Sequence, residues 1–132
     1  MISIVTIGND VDEHWKWLES FVTDSIERNL DGYTADDALK QVQDGNSVFL
    51  VIRDDTGVQA VGKIDIQPNA IHVHTLTGVN LKDWIGQFDD FLGNMADKLG
   101  KQYITSIARP GWAAAMRPLG WKTHSVVLAR EI

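Results

Sequence analysis

Arg109-Pro110-Gly111-Trp112-Ala113-Ala114-Ala115-Met116-Arg117-Pro118-Leu119-Gly120-Trp121-Lys122 is the stretch on which the fold turns. Arg109-Pro110-Gly111 breaks whatever precedes it, and Trp112 to Leu119 reads as a short helix. Leu119-Gly120-Trp121 is a glycine stop, after which Lys122 to Ile132 reads as a closing strand. Upstream, Tyr103 to Ala108 is a further strand. Before it lies the longest helix, opened by Asn80 with Asp83 in capping-box spacing, its apolar face made by Leu81, Trp84, Ile85, Phe88, Leu92, Met95 and Leu99. Gly100 ends it.

Further outward, Ser47 to Arg53 and Val58 to Gln67 flank the turn Asp54-Asp55-Thr56-Gly57 as a hairpin, and Pro68-Asn69 leads into a third strand, Ala70 to Thr77. Thr34 with Asp37 opens a helix through Ala38, Leu39 and Val42, stopped by Gly45-Asn46. Asp10 with Glu13 opens another, with Val11, Trp15, Leu18, Val22 and Ile26 on one stripe. Ser3 to Ile7 is the first strand. The order is β-α-α-β-β-β-α-β-α-β, which predicts an α/β (mixed α+β) fold with a mainly antiparallel sheet flanked by helices, in one domain over 1–132.

Composition narrows the chemistry. The 132 residues are 44% apolar and 23% charged, an ordinary globular balance, and the chain holds no cysteine. Disulfides, thiolate nucleophiles and Cys-ligated zinc are therefore closed. No apolar run approaches the roughly 18 to 20 residues that span a bilayer, so a soluble, cytoplasmic protein is expected. A net charge of −6 argues against nucleic acid and anionic membrane as partners. The charge is uneven: residues 1–66 carry 5 Lys/Arg against 13 Asp/Glu, and residues 67–132 carry 7 against 5. That asymmetry suits an anionic small ligand on the second half, or is solvated surface charge alone.

His72 and His74 stand two apart in a strand and so project from one face. One of them is a candidate general base, since neutral imidazole titrates near working pH. Two other readings stand beside that one: surface or structural histidines, and half of a metal site. No third ligand is evident, and no metal is expected. Trp15 and Trp84 lie on apolar stripes and are expected in the core. Trp112 and Trp121 flank the late helix and are expected at a contact surface. Gly86 and Gly93, one heptad apart in the long helix, imply close approach of another element. Arg109, Arg117 and Lys122 form a small basic cluster around the late helix.

The element order and the Leu119-Gly120-Trp121 end resemble the N-acetyltransferase (GNAT) fold over essentially the whole chain. The resemblance implies acetyl-CoA as co-substrate, its pyrophosphate held by backbone N–H groups of the turn before the long helix. That turn corresponds here to Leu76-Thr77-Gly78-Val79-Asn80-Leu81, with His72 or His74 as the implied base. Two departures from the family pattern stand out: the glycine-rich signature is absent from the turn, and Met116 occupies the place of the tyrosine that protonates the departing thiolate. The resemblance thus implies either an acyl-CoA-dependent N-acetyltransferase or a non-catalytic protein of that fold acting through protein contacts, with homo-oligomerisation open. The Arg-Pro-Gly-Trp and Leu-Gly-Trp strings are also similar to short acetyltransferase-like chains of tailed bacteriophages. That narrower likeness implies an accessory or virion-associated protein in the host cytoplasm or the virion.

Overall fold

The apolar run Ser47–Asp54 fills both sides of a sheet at once. Phe49 and Val51 face one helical layer while Leu50 and Ile52 face the other, all four fully buried. In the computed structural model, which describes residues 1–132, this strand is β2. It pairs with β1 (Ser3–Ile7) and β3 (Gly57–Ile66), and β3 pairs with β4 (Ala70–Gly78), all antiparallel. β5 (Tyr103–Ser106) adds in parallel to β4, completing the order β1-β2-β3-β4-β5.

Helices α1 (Val11–Ile26) and α2 (Ala35–Gln43) cover one face. Val11, Leu18, Val22, Ile26, Ala38 and Val42 bury there against Ile7, Phe49, Val51 and Val61. On the other face lie α3 (Leu81–Lys98) and the short α4 (Pro110–Met116), which runs into a 3-10 turn at Arg117–Leu119. Trp84, Phe88, Leu92, Ala96 and Met116 pack there on Leu50, Ile52, Ile64, Ile71 and Val73. Each fully buried large side chain contributes roughly 1.5–3 kcal/mol.

Two bulges shape the sheet. Lys63 faces Thr75 while Ile64 faces Val73, so His74 is the extra residue of β4. Ile52 faces Ala60 while Arg53 faces Val58, so Gln59 is the extra residue of β3.

Four expectations are corrected. Lys122–Ile132 forms no strand: Val126, Val127 and Leu128 are exposed, and the segment pairs with nothing. A strand has no internal hydrogen bonds and needs a partner, and the β5 edge at which a closing strand would add is only four residues long. Trp112 and Trp121 are packed on the α3 layer, not displayed. Trp112 tilts against Trp84 at 5.7 Å between ring centroids, and Trp121 Nε1 donates to Asp89 at 2.7 Å. Nothing lies over Gly86 or Gly93, where an added Cβ would meet no atom within 4 Å. Of the three capping boxes read from spacing, only Thr34/Asp37 forms in both directions.

Candidate functional site

β4 and β5 pair only over Ala70–Val73 with Tyr103–Ser106. Beyond that point β4 continues as His74–Gly78 towards α3, while the other chain leaves through Ile107–Arg109 to α4. The outer edge of His74–Gly78 therefore has no strand partner, and the sheet forks there.

The turn at the end of the fork is braced from β3. Gly78 packs so tightly that a Cβ would lie 2.3 Å from Ala60 Cβ and 2.5 Å from Gln59 O, which explains the glycine without a ligand. Val79 N–H donates to Gln59 O at 2.9 Å, and Trp84 Nε1 donates to Val79 O at 2.7 Å. Asn80 sits at φ 57° with its Nδ2 donating to Gln59 Oε1 at 2.7 Å. Leu76 and Leu81 turn their side chains to the α3-side core, and Thr77 is half-buried. The connection is only two residues long, Val79 and Asn80. Asp83 N–H already donates to Asn80 O at 2.9 Å, so an anion here would meet the amides of Leu81 and Lys82 at the positive end of the dipole.

His72 and His74 both face the α1/α2 layer, as their spacing predicts, but their surroundings separate them. His74 is nearly enclosed. Its Nε2 lies 2.8 Å from Asp31 Oδ2, its Nδ1 lies 3.3 Å from Lys63 Nζ, and Tyr33 meets its ring edge-on at 5.7 Å. Lys63 is buried, and its ammonium donates to Asp65 Oδ1 at 2.5 Å. That ammonium can only donate to Nδ1, so the network assigns His74 as the neutral tautomer with its proton on Nε2, donated to Asp31. Burial alone would raise the Asp31 carboxyl, but the hydrogen bonds from His74 and Tyr33 N–H outweigh it and hold the group below its usual range.

His72 is half-buried at the base of the fork. Thr105 Oγ1 lies 2.8 Å from its Nδ1, and no hydrogen bond engages its Nε2. Burial pulls this imidazole below the ordinary histidine range, with the neighbouring Asp65 carboxylate opposing the shift. Burial thus favours the neutral ring, with one nitrogen engaged by Thr105 and the other without a hydrogen-bond partner.

Sequence reading missed Asp31, Lys63 and Thr105. Lys63 and His74 lie in different strands and Asp31 in a loop, so only tertiary pairing joins them. It also missed a group of possible metal ligands, Asp10, Glu13 and His14, at the start of α1. There His14 Nδ1 accepts from Trp17 Nε1 at 3.2 Å and Nε2 faces Asp10 Oδ2 at 3.2 Å, so both ring nitrogens are already engaged. Met116 is buried in the α3-side core. Arg109, Arg117 and Lys122 are all exposed.

No protein-family model matches the chain, and no curated protein matches it in sequence. Solved structures match it throughout. Glucosamine-6-phosphate N-acetyltransferase from Arabidopsis thaliana aligns at TM-score 0.67 and 13% identity, covering 99% of this chain and 98% of that one. The aminoglycoside N-acetyltransferase AAC(6')-Iy, in complex with a CoA bisubstrate analogue, aligns at TM-score 0.72 and 11% identity, covering 100% and 99%. A ribosomal-protein-alanine N-acetyltransferase from Brucella melitensis biovar Abortus 2308 aligns at TM-score 0.66 and 15% identity over the whole of both chains. The chain has the GNAT fold.

Proposed function

We propose that this chain is an acyl-CoA-dependent N-acetyltransferase in which the co-substrate lies along the β4–β5 fork and His72 is the base. One observation carries the reading: at the base of the fork stands a neutral imidazole with Nδ1 held by Thr105 and Nε2 open. His74 is assigned a holding role instead, because accepting a proton would cost it the Lys63 donor. The fork edge of Leu76, Thr77 and Gly78 offers backbone groups to the amides of the co-substrate's pantetheine arm. Val79, Asn80 and Leu81 lead into the α3 N-terminus, where the co-substrate's phosphates meet the helix dipole.

In this reading an acceptor ammonium gives one proton to His72 Nε2. The amine nitrogen then bonds to the acyl carbon as the carbon–sulfur bond breaks. Its second proton passes through water to the thiolate, since the Met116 thioether has none to donate.

A second reading is favoured by a specific feature. Trp84, Trp112 and Met116 fill the α3/α4 side of the fork, and Val79 N–H is spent on Gln59. A protein of this fold that has given up catalysis for protein contacts would look this way.

Thermal shift with acetyl-CoA, CoA and ATP at equal concentration separates the two. At about 100 times its dissociation constant a ligand stabilises by roughly 2.7 kcal/mol, several degrees in a domain of this size. A shift confined to the two CoA compounds supports transfer. No shift at millimolar ligand leaves only the contact reading.

A further inference from the structure

Two strand-forming stretches of this chain lack a partner. One is the outer edge of β1, which stands first in the sheet order and is bonded to β2 alone. Ser3–Ile7 has no charged side chain, no proline and no bulge, the devices that normally keep such an edge from pairing with another chain. The other is the segment beyond the 3-10 turn. Trp121 is tied to Asp89, and Lys122–Ile132 then leaves the body with Val126, Val127 and Leu128 between 65% and 90% exposed.

The two match in pattern. In an extended segment alternate positions face opposite ways, so Val126, Leu128 and Arg130 share one face and Val127 takes the other. Apolar on both faces, such a strand needs cover on both. The β1 edge offers it. Ile4 lies towards α3 in an open groove with Gln87, Asp90, Phe91 and Asn94, and Val5, opposite Val51, is exposed on the α1/α2 side.

Charge selects between the two open edges of the sheet. β5, the other edge, is four residues long and lies between Lys101 and Arg109, cations like Lys122 and Arg130. The groove beside β1 is lined by one carboxylate, Asp90, and by no basic residue. Asp90 belongs to no ion pair. Arg53, opposite Ser3, is turned to the other face of the sheet, over the Trp17 ring.

We propose that Lys122–Ile132 of one copy of this chain adds as a strand to the β1 edge of a second copy, which returns its own segment in exchange. Val126 and Leu128 cover Ile4 and Phe91, Val127 covers Val5, and Arg130 of one copy pairs with Asp90 of the other. Segment and edge together give each copy about twenty residues of contact, the size of a standard interface. Reciprocal exchange is two-fold and closes on itself. The inference holds whether or not the chain transfers acetyl groups.

Sedimentation equilibrium of the full chain should show a reversible monomer–dimer equilibrium. Leu128→Lys should raise the dimer dissociation constant roughly tenfold or more, since it sets a charge against Ile4 and Phe91. Arg130→Glu and Asp90→Lys should each weaken the dimer as well, and the double variant should recover most of the loss because it restores opposite charges across the contact. All three positions are exposed in the single copy, so the variants should fold as the parent does. Hydrogen exchange locates the contact: as the dimer fills, the amides of Ser3–Ile7 and of Val126–Arg130 should gain protection together. A monomer at every concentration, a dimer indifferent to Leu128→Lys, a double variant no better than the single ones, or protection gathered on Tyr103–Ser106 in place of β1 would overturn the proposal.

Discussion

Trp112 leans on Trp84 with 5.7 Å between ring centroids and 47° between planes, while the Trp84 indole is bonded to the carbonyl of Val79. The late helix is thereby tied through one fully buried ring to the turn that starts α3. A residue expected at the surface thus acts as a brace of the candidate site. Trp112→Ala should cost about 2–3 kcal/mol, less than for a fully buried tryptophan because Trp112 is only partly enclosed. Urea denaturation measures this. A cost under about 0.5 kcal/mol would mean that α4 does not support the turn.

Gly86 and Gly93 carry the helix penalty of glycine with nothing packed over them. Gly86→Ala and Gly93→Ala should each stabilise by up to about 1 kcal/mol. Seven residues of helix separate them by roughly 10 Å, so the double variant should be close to additive. The denaturation midpoint should rise with an unchanged slope. A falling midpoint would show that something does approach that face.

The pH dependence follows from His72. Its folded-state value lies below the ordinary one, near 6.5, first because of burial. Below that ordinary value the unfolded chain binds the proton more readily than the folded one. The contribution is therefore present in full above about pH 6.5 and is lost as pH falls through the lowered value. In His72→Gln this titration is absent while the carboxylates remain. The stability of wild type relative to the variant should fall on acidification from about pH 7.5 to 4.5; a difference constant over that range contradicts the assignment of His72 as a ring held neutral.

Much of the fold was legible because it is written in local periodicity. The strands Ser3–Ile7, Ser47–Asp54, Gly57–Ile66 and Ala70–Gly78 fall within a residue or so of their apolar runs. Capping shows where local reading stops. Thr34 forms its box because its backbone is extended, at φ −103° and ψ 169°. Asp10, with ψ 13°, turns its carboxylate back to Gly8 N–H and to His14, and Asn80, in the left-handed region, spends its amide on Gln59. Spacing is common to all three; backbone conformation at the cap is not.

The site was half legible for the same reason. His72 and His74 share a face by strand period alone. The bulge that aims His74 at Asp31, and the parallel pairing that sets Thr105 beside His72, depend on contacts 43 and 33 residues apart in sequence. No local pattern encodes those contacts.

Mapping CoA onto the amide resonances of the full chain tests the proposal that acyl-CoA lies along the β4–β5 fork beside His72. The amides of His74 to Lys82 and of Ile107 to Arg109 should shift together and saturably, with the His72 ring moving when the acetyl group is present. The contradicting result is a folded protein whose fork amides stay still at millimolar CoA, or whose shifts gather instead at the open groove of about 330 Å³ lined by Ile4, Gln87, Asp90, Phe91 and Asn94 on the far side of α3.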